Sequence, residues 1–79
     1  MALQLLLAAS LRKYIPDYDA ATGFNLQVEA GLTVRQIVRQ LKIPEQEVKL
    51  IMIDGIGSQW DAILQGDERL ALFPPVGGG

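Results

Sequence analysis

The chain contains no cysteine and no histidine in 79 residues. Without cysteine there is no disulfide framework, no thiolate metal ligand and no thiol nucleophile, which fits a reducing compartment. Without histidine the usual general base, proton shuttle and imidazole ligand are missing too. An enzyme of this size would have to work with carboxylates, lysines, tyrosines or hydroxyls alone. No metal site and no bound cofactor are therefore expected. Seven Lys and Arg stand against nine Asp and Glu, a formal charge of −2. The signs are interspersed, and no basic run is present to track a phosphate backbone, which disfavours nucleic acid as a partner. The apolar run Leu5–Ser10, "LLLAAS", falls far short of the ~20 residues of a membrane span. No basic region precedes it, so it does not read as a signal peptide. A cytoplasmic domain with no membrane partner is the expectation.

What is present fits one domain with a small core. "ALQLLLAAS", Ala2–Ser10, is apolar and free of turn residues, which predicts a strand buried on both faces. "RKYIPDYD" breaks it with Pro16 and two aspartates, a long loop with room for a little structure of its own. "GFNLQVEAG" alternates, with Phe24, Leu26 and Val28 on one face, and predicts a half-exposed strand paired with the first.

"TVRQIVRQLKI", Thr33–Ile43, predicts the main helix. Thr33 and Gln36 have capping-box spacing. Val34, Ile37, Val38 and Leu41 form one apolar stripe, and Pro44 ends the helix. Arg35, Arg39 and Lys42 lie off the stripe as a solvated face. "EQEV" predicts a short turn, "KLIMIDG" a strand closing at Asp54-Gly55, "SQW" a short extension, "DAILQGDE" a capped turn and "RLALF" a final strand. One helix must then cover one face of one mixed sheet, packing on Leu5, Leu7, Leu50, Met52 and Leu72. The first and last strands are expected side by side at its centre.

Among the acidic residues Asp61, Asp67 and Glu68, a paired-carboxylate site is conceivable, but no pocket-forming sequence surrounds them. Asp67 is expected to accept backbone N–H groups in its turn. Trp60, the lone tryptophan, is expected to plug the core.

The chain closes with "LFPPVGGG", Leu72–Gly79. Such an end is either an inert terminus or a working part. Gly77, Gly78 and Gly79 have no Cβ and can enter a cleft too narrow for any side chain. Three extended residues reach ~10 Å, and Pro74 and Pro75 favour an extended stem. The strip would deliver a terminal carboxylate, ionised at neutral pH and a poor electrophile. Chemistry there needs conversion to an acyl adenylate with ATP. The chain has no phosphate loop, and "GIGSQW" lacks the strand–turn–helix context of a dinucleotide site. Activation must come from another protein.

"GDERLALFPPVGGG", with the order of elements before it, resembles the MoaD/ThiS family of ubiquitin-like sulfur carriers. The resemblance spans essentially the whole chain. Its late motifs are the Gly66-Asp67 turn, the apolar strand Arg69–Phe73 and the diglycine Gly78-Gly79. "FPPV", Phe73–Val76, is nearer the molybdopterin synthase small subunit than the thiamin-pathway carrier. It implies an α+β, β-grasp (ubiquitin-like) fold with four to five strands in one mixed sheet and one main helix across one face. Residues 1–76 would form the domain and 77–79 a flexible glycine tail.

The resemblance implies a sulfur carrier rather than an enzyme. Gly79 would be adenylated by a MoeB/ThiF-like activating enzyme that uses ATP, then converted to a thiocarboxylate. Gly77 and Gly78 would thread the partner's active site, and Phe73, Pro74, Pro75 and Val76 would bind the partner. The sulfur would pass to a pterin precursor in the molybdopterin synthase large subunit. Other outcomes stay open: thiamin thiazole, a tungsten cofactor or another acceptor; conjugation to a lysine; or an inert interaction module.

Overall fold

The architecture comes from a computed structural model that describes residues 2–19 and 21–75. Strand β1, Ala2–Leu7, buries Leu3, Leu5 and Leu7 on one face. It pairs antiparallel with β2, Phe24–Gln27, and parallel with β7, Arg69–Phe73. β4, Leu50–Ile53, lies antiparallel to β7 on its other side, and β5, Ile56–Ser58, closes the far edge. The order is β2-β1-β7-β4-β5, so the last strand is the central one, with the first beside it. Helix α1, Val34–Gln40, buries Val34, Ile37 and Val38, which join Leu3, Leu5, Leu70 and Leu72 in one core.

The helix is shorter than its apolar pattern predicts. Its start follows the capping box: Gln36 N–H donates to Thr33 Oγ1 at 3.2 Å, and Thr33 N–H donates to Gln36 Oε1 at 2.8 Å. Its end is a Schellman closure. Lys42 turns left-handed at φ 60, its N–H reaching the Arg39 carbonyl and that of Ile43 the Val38 carbonyl. The reversal drives Ile43 into the core at 3% exposure and leaves Leu41 half-buried.

Two short strands extend the expected set. β3, Leu32–Thr33, pairs antiparallel with β6, Ile63–Leu64, as a separate two-stranded sheet. Beyond it, the N–H groups of Val34 and Arg35, which have no intrahelical partner, donate to the carbonyls of Ala62 and Trp60. The segment read as a capped turn is thus fastened to the start of the helix, and Leu64 is fully buried beneath it. In the long loop a 3-10 helix, Ala9–Tyr14, buries Leu11 over the end of β1. The Tyr18 hydroxyl then accepts the Leu7 N–H at 2.8 Å.

The sheet departs from expectation on its second face. Leu50 and Met52, expected against the helix, point away from it. Ile51 is 4% exposed while Leu50 is 46% exposed, because β4 registers Ile51 against Leu72 and Ile53 against Leu70. β1 likewise is buried on one face only, with Gln4 and Leu6 half-buried on the other. A single helical layer leaves that second face open.

Candidate functional site: the end of the central strand

The predicted working residues all follow from where β7 stops. Its last two carbonyls are held from opposite flanks: Leu72 accepts the Ala8 N–H at 3.2 Å, and Phe73 accepts the Lys49 N–H at 2.8 Å. Those two bonds carry the chain in a defined direction as far as Phe73. Phe73, Pro74 and Pro75 are each half-buried, so the stem leaves in partial contact with the body. Val76, Gly77, Gly78 and Gly79 lie outside the described residues.

Phe73 stands on the open face of the sheet, opposite Leu50 on β4. Behind this pair the next row runs Leu6, Ala71, Met52 and Gly57, one residue from each of β1, β7, β4 and β5. The face is therefore apolar at the end where the chain departs. One row beyond lie Gln4 and Arg69, where Arg69 Nε donates to Gln4 Oε1 at 3.2 Å. Leu6, Leu50, Met52 and Ala71 were missed as companions of Phe73. The spacing Ala71–Phe73 on one strand was legible, but the register of the neighbouring strands was not.

The other singled-out residues are engaged elsewhere. Arg35 pairs with Asp61 at 2.9 Å and Glu45 at 3.5 Å, and it lies 5.8 Å from the centroid of the half-buried Trp60 ring. Arg39 joins Glu45 at 3.0 Å. These exposed pairs contribute little to stability and make the helix flank a solvated, self-compensated surface.

In the turn before β7, Glu68 takes the role expected of Asp67. Its carboxylate accepts the N–H groups of Gln65 at 2.7 Å and Gly66 at 2.9 Å. Partial burial pushes the Glu68 carboxyl up, but these backbone donors outweigh it and hold it below the ordinary glutamate range. Among the described residues no cluster of acidic side chains could hold a metal ion, and no helix is long and apolar enough to cross a membrane.

A mixed sheet centred on the last strand, crossed by one helix, is the ubiquitin-like β-grasp architecture. Solved structures share it. One is a protein of Pyrococcus furiosus provisionally described as molybdopterin converting factor, subunit 1 (TM-score 0.70, 18% identity, 96% of this chain and 99% of that one). SAMP1 from Haloferax volcanii gives a TM-score of 0.70 at 18% identity over the full length of both. The HVO 2177 protein from Haloferax volcanii gives 0.73 at 23% identity, over all of this chain and 87% of that one. At such identities the likeness shows the fold. A search of the curated proteins returns no match. The family model of the Mut7-C ubiquitin, Ub-Mut7C, matches residues 1–77, and the chain belongs to that family.

Proposed function

We propose that this chain is a sulfur carrier. The Gly79 carboxylate is adenylated by a separate activating enzyme, converted to a thiocarboxylate, and passes its sulfur to a precursor of molybdopterin in a two-subunit synthase. The observation behind this reading is that the central strand ends at Phe73 on an apolar open face and is followed by "PPVGGG". A partner that docks on Phe73, Leu50 and the proline stem then receives a strip with no side chains.

The chemistry balances with ATP and a hydrosulfide equivalent from a sulfur donor. A carboxylate oxygen of Gly79 attacks the α-phosphorus of ATP, and pyrophosphate leaves. The sulfur nucleophile then attacks the activated carbonyl carbon, and AMP leaves with the original oxygen. One oxygen has been exchanged for sulfur. The chain, with no cysteine or histidine, supplies the acyl group and its presentation, and catalysis belongs to the activating enzyme and the synthase large subunit. ATP and a reduced sulfur donor fit the cytoplasm. The segment "FPPV" favours the molybdopterin branch over thiazole, a tungsten cofactor or another acceptor. The family's description as a ubiquitin favours a second acceptor, a lysine amine that would take the same activated glycine as an isopeptide.

Incubation with a MoeB/ThiF-like enzyme, ATP and a sulfur donor, followed by intact mass, tests the carrier. A gain matching one oxygen replaced by sulfur, localised to the terminal peptide and lost on deletion of Gly79 or addition of a residue after it, is the expected result. No adenylate and no mass change, with the enzyme competent on another carrier from the same organism, would leave the inert interaction module.

A further inference from the structure

β5 contains the one described glycine that the fold does not require. Gly23, Gly31, Gly55 and Gly66 all hold positive φ. Gly57 has no left-handed backbone, and a Cβ built there would meet nothing within 4 Å. Glycine weakens a strand because it has more backbone freedom to lose and nothing to pack. In a strand such a glycine often marks a bulge, a bend or the close approach of a ligand or another backbone. The regular register of Gly57 with Met52 leaves no bulge here.

The hydrogen-bonding pattern says what kind of chain. Asp54 and Gly55 close the β4–β5 hairpin with φ of 52 and 82, the signature of a two-residue type I′ turn. The flanking pair Ile53 and Ile56 then exchanges the ladder bonds, and alternation turns the N–H and C=O of Gly57 outward. β5 is an edge strand. All three of its residues are exposed, Ile56 at 71%, and it has neither the lysine nor the proline that usually guards an edge. On the open face Gly57 ends the row Leu6, Ala71, Met52, leaving a gap beside Met52 that a large side chain from a neighbouring strand would fill.

We infer that the β5 edge captures an extended segment of another protein. That segment pairs with the Gly57 backbone and lays an aromatic side chain over Gly57, against Met52. Cross-strand aromatics cover edge glycines in this way. A second copy fits worse. Self-pairing centred on this strand would set Gly57 against Gly57 with the gap still empty. Capture at Gly57 is independent of whether Gly79 is activated.

The test uses the whole chain, labelled with nitrogen-15, and the capped peptide Lys-Thr-Val-Phe-Val-Thr-Lys. Saturable amide shifts confined to residues 55–59 and to facing residues of β4 are expected. Replacing the peptide phenylalanine by alanine should weaken binding by about fivefold. Gly57→Val fills the gap and is expected to weaken the phenylalanine peptide similarly while keeping the native spectrum, and Gly57→Pro, which removes the outward N–H, to abolish binding. No shift at Gly57 with millimolar peptide, shifts at Phe24–Gln27 instead, or equal affinity for Gly57→Val would overturn the inference. So would a Gly57 signal that moves with protein concentration alone, which would assign the edge to a second copy.

Discussion

The Lys49 N–H donates to the Phe73 carbonyl at 2.8 Å, and this bond is the last tie between β4 and the strand that releases the tail. The Lys49 side chain is exposed, so its backbone and not its charge makes the contact. Lys49→Ala is expected to be near neutral. Lys49→Pro, which deletes the donor, should lose about 1 kcal/mol or more. Urea denaturation of the two variants side by side measures the difference, and equal midpoints would show that the bond contributes nothing.

The register of β4 predicts a contrast between neighbours in sequence. Ile51→Ala removes a side chain that is 4% exposed and should cost about 2–5 kcal/mol, as should Ile37→Ala on the helix. Leu50→Ala, on the open face, should cost well under half as much. Comparable losses at residues 50 and 51 would mean that the strand is turned over.

Glycines 23 and 57 should respond in opposite senses to alanine. At Gly23 φ is 79, and a Cβ would stand 2.6 Å from the Leu5 carbonyl oxygen, so Gly23→Ala must displace backbone and destabilise the β1–β2 junction. Gly57→Ala meets open space and should stabilise the chain by about 0.5–1 kcal/mol. Thermal melts of both variants against the parent decide it.

Glu68 makes the turn before β7 sensitive to acid. Its folded pKa lies below the ordinary glutamate value, so its contribution is complete above that ordinary range and is lost as pH falls through the lowered value. The stability advantage of the parent over Glu68→Gln should therefore be constant near neutrality and shrink on acidification. A gap that is unchanged down to strongly acidic pH would assign the turn's stability to other contacts.

Much of the fold was legible because its signals are local. Thr33 and Gln36 announce the helix start, Asp54-Gly55 announces a hairpin, and the apolar β1 and β7 announce adjacent inner strands. What was hidden depends on partners distant in sequence. "LIMI" is apolar at every position, so nothing in it says which alternate residues face the helix; that is fixed by pairing with β7. Ile63 and Leu64 read as part of a turn because a two-residue strand has no periodicity to detect, and only β3, just ahead of the helix, gives them partners. Lys42 occupies a left-handed position that glycine usually marks, so the helix end was placed too late. Glu68 and Asp67 are equally able to accept backbone hydrogens, and only the fold of the turn chooses between them. At the candidate site, the tail and Phe73 were readable as a motif, whereas the apolar row beside them exists only after the strands align.

The placement of β7 between β1 and β4 also governs when the tail can be offered at all. β1 has β2 on one side, but its inner neighbour is the last strand, and β4 waits for that same strand. Until Arg69–Phe73 has been synthesised the sheet lacks its middle, and these non-local pairings are the slow ones to form. A chain stopped short of Phe73 would expose both flanks of the gap and invite aggregation or proteolysis. The glycines come only after that strand. A partner that requires both the assembled open face and the glycine strip would therefore receive only chains whose sheet is already closed around its central strand.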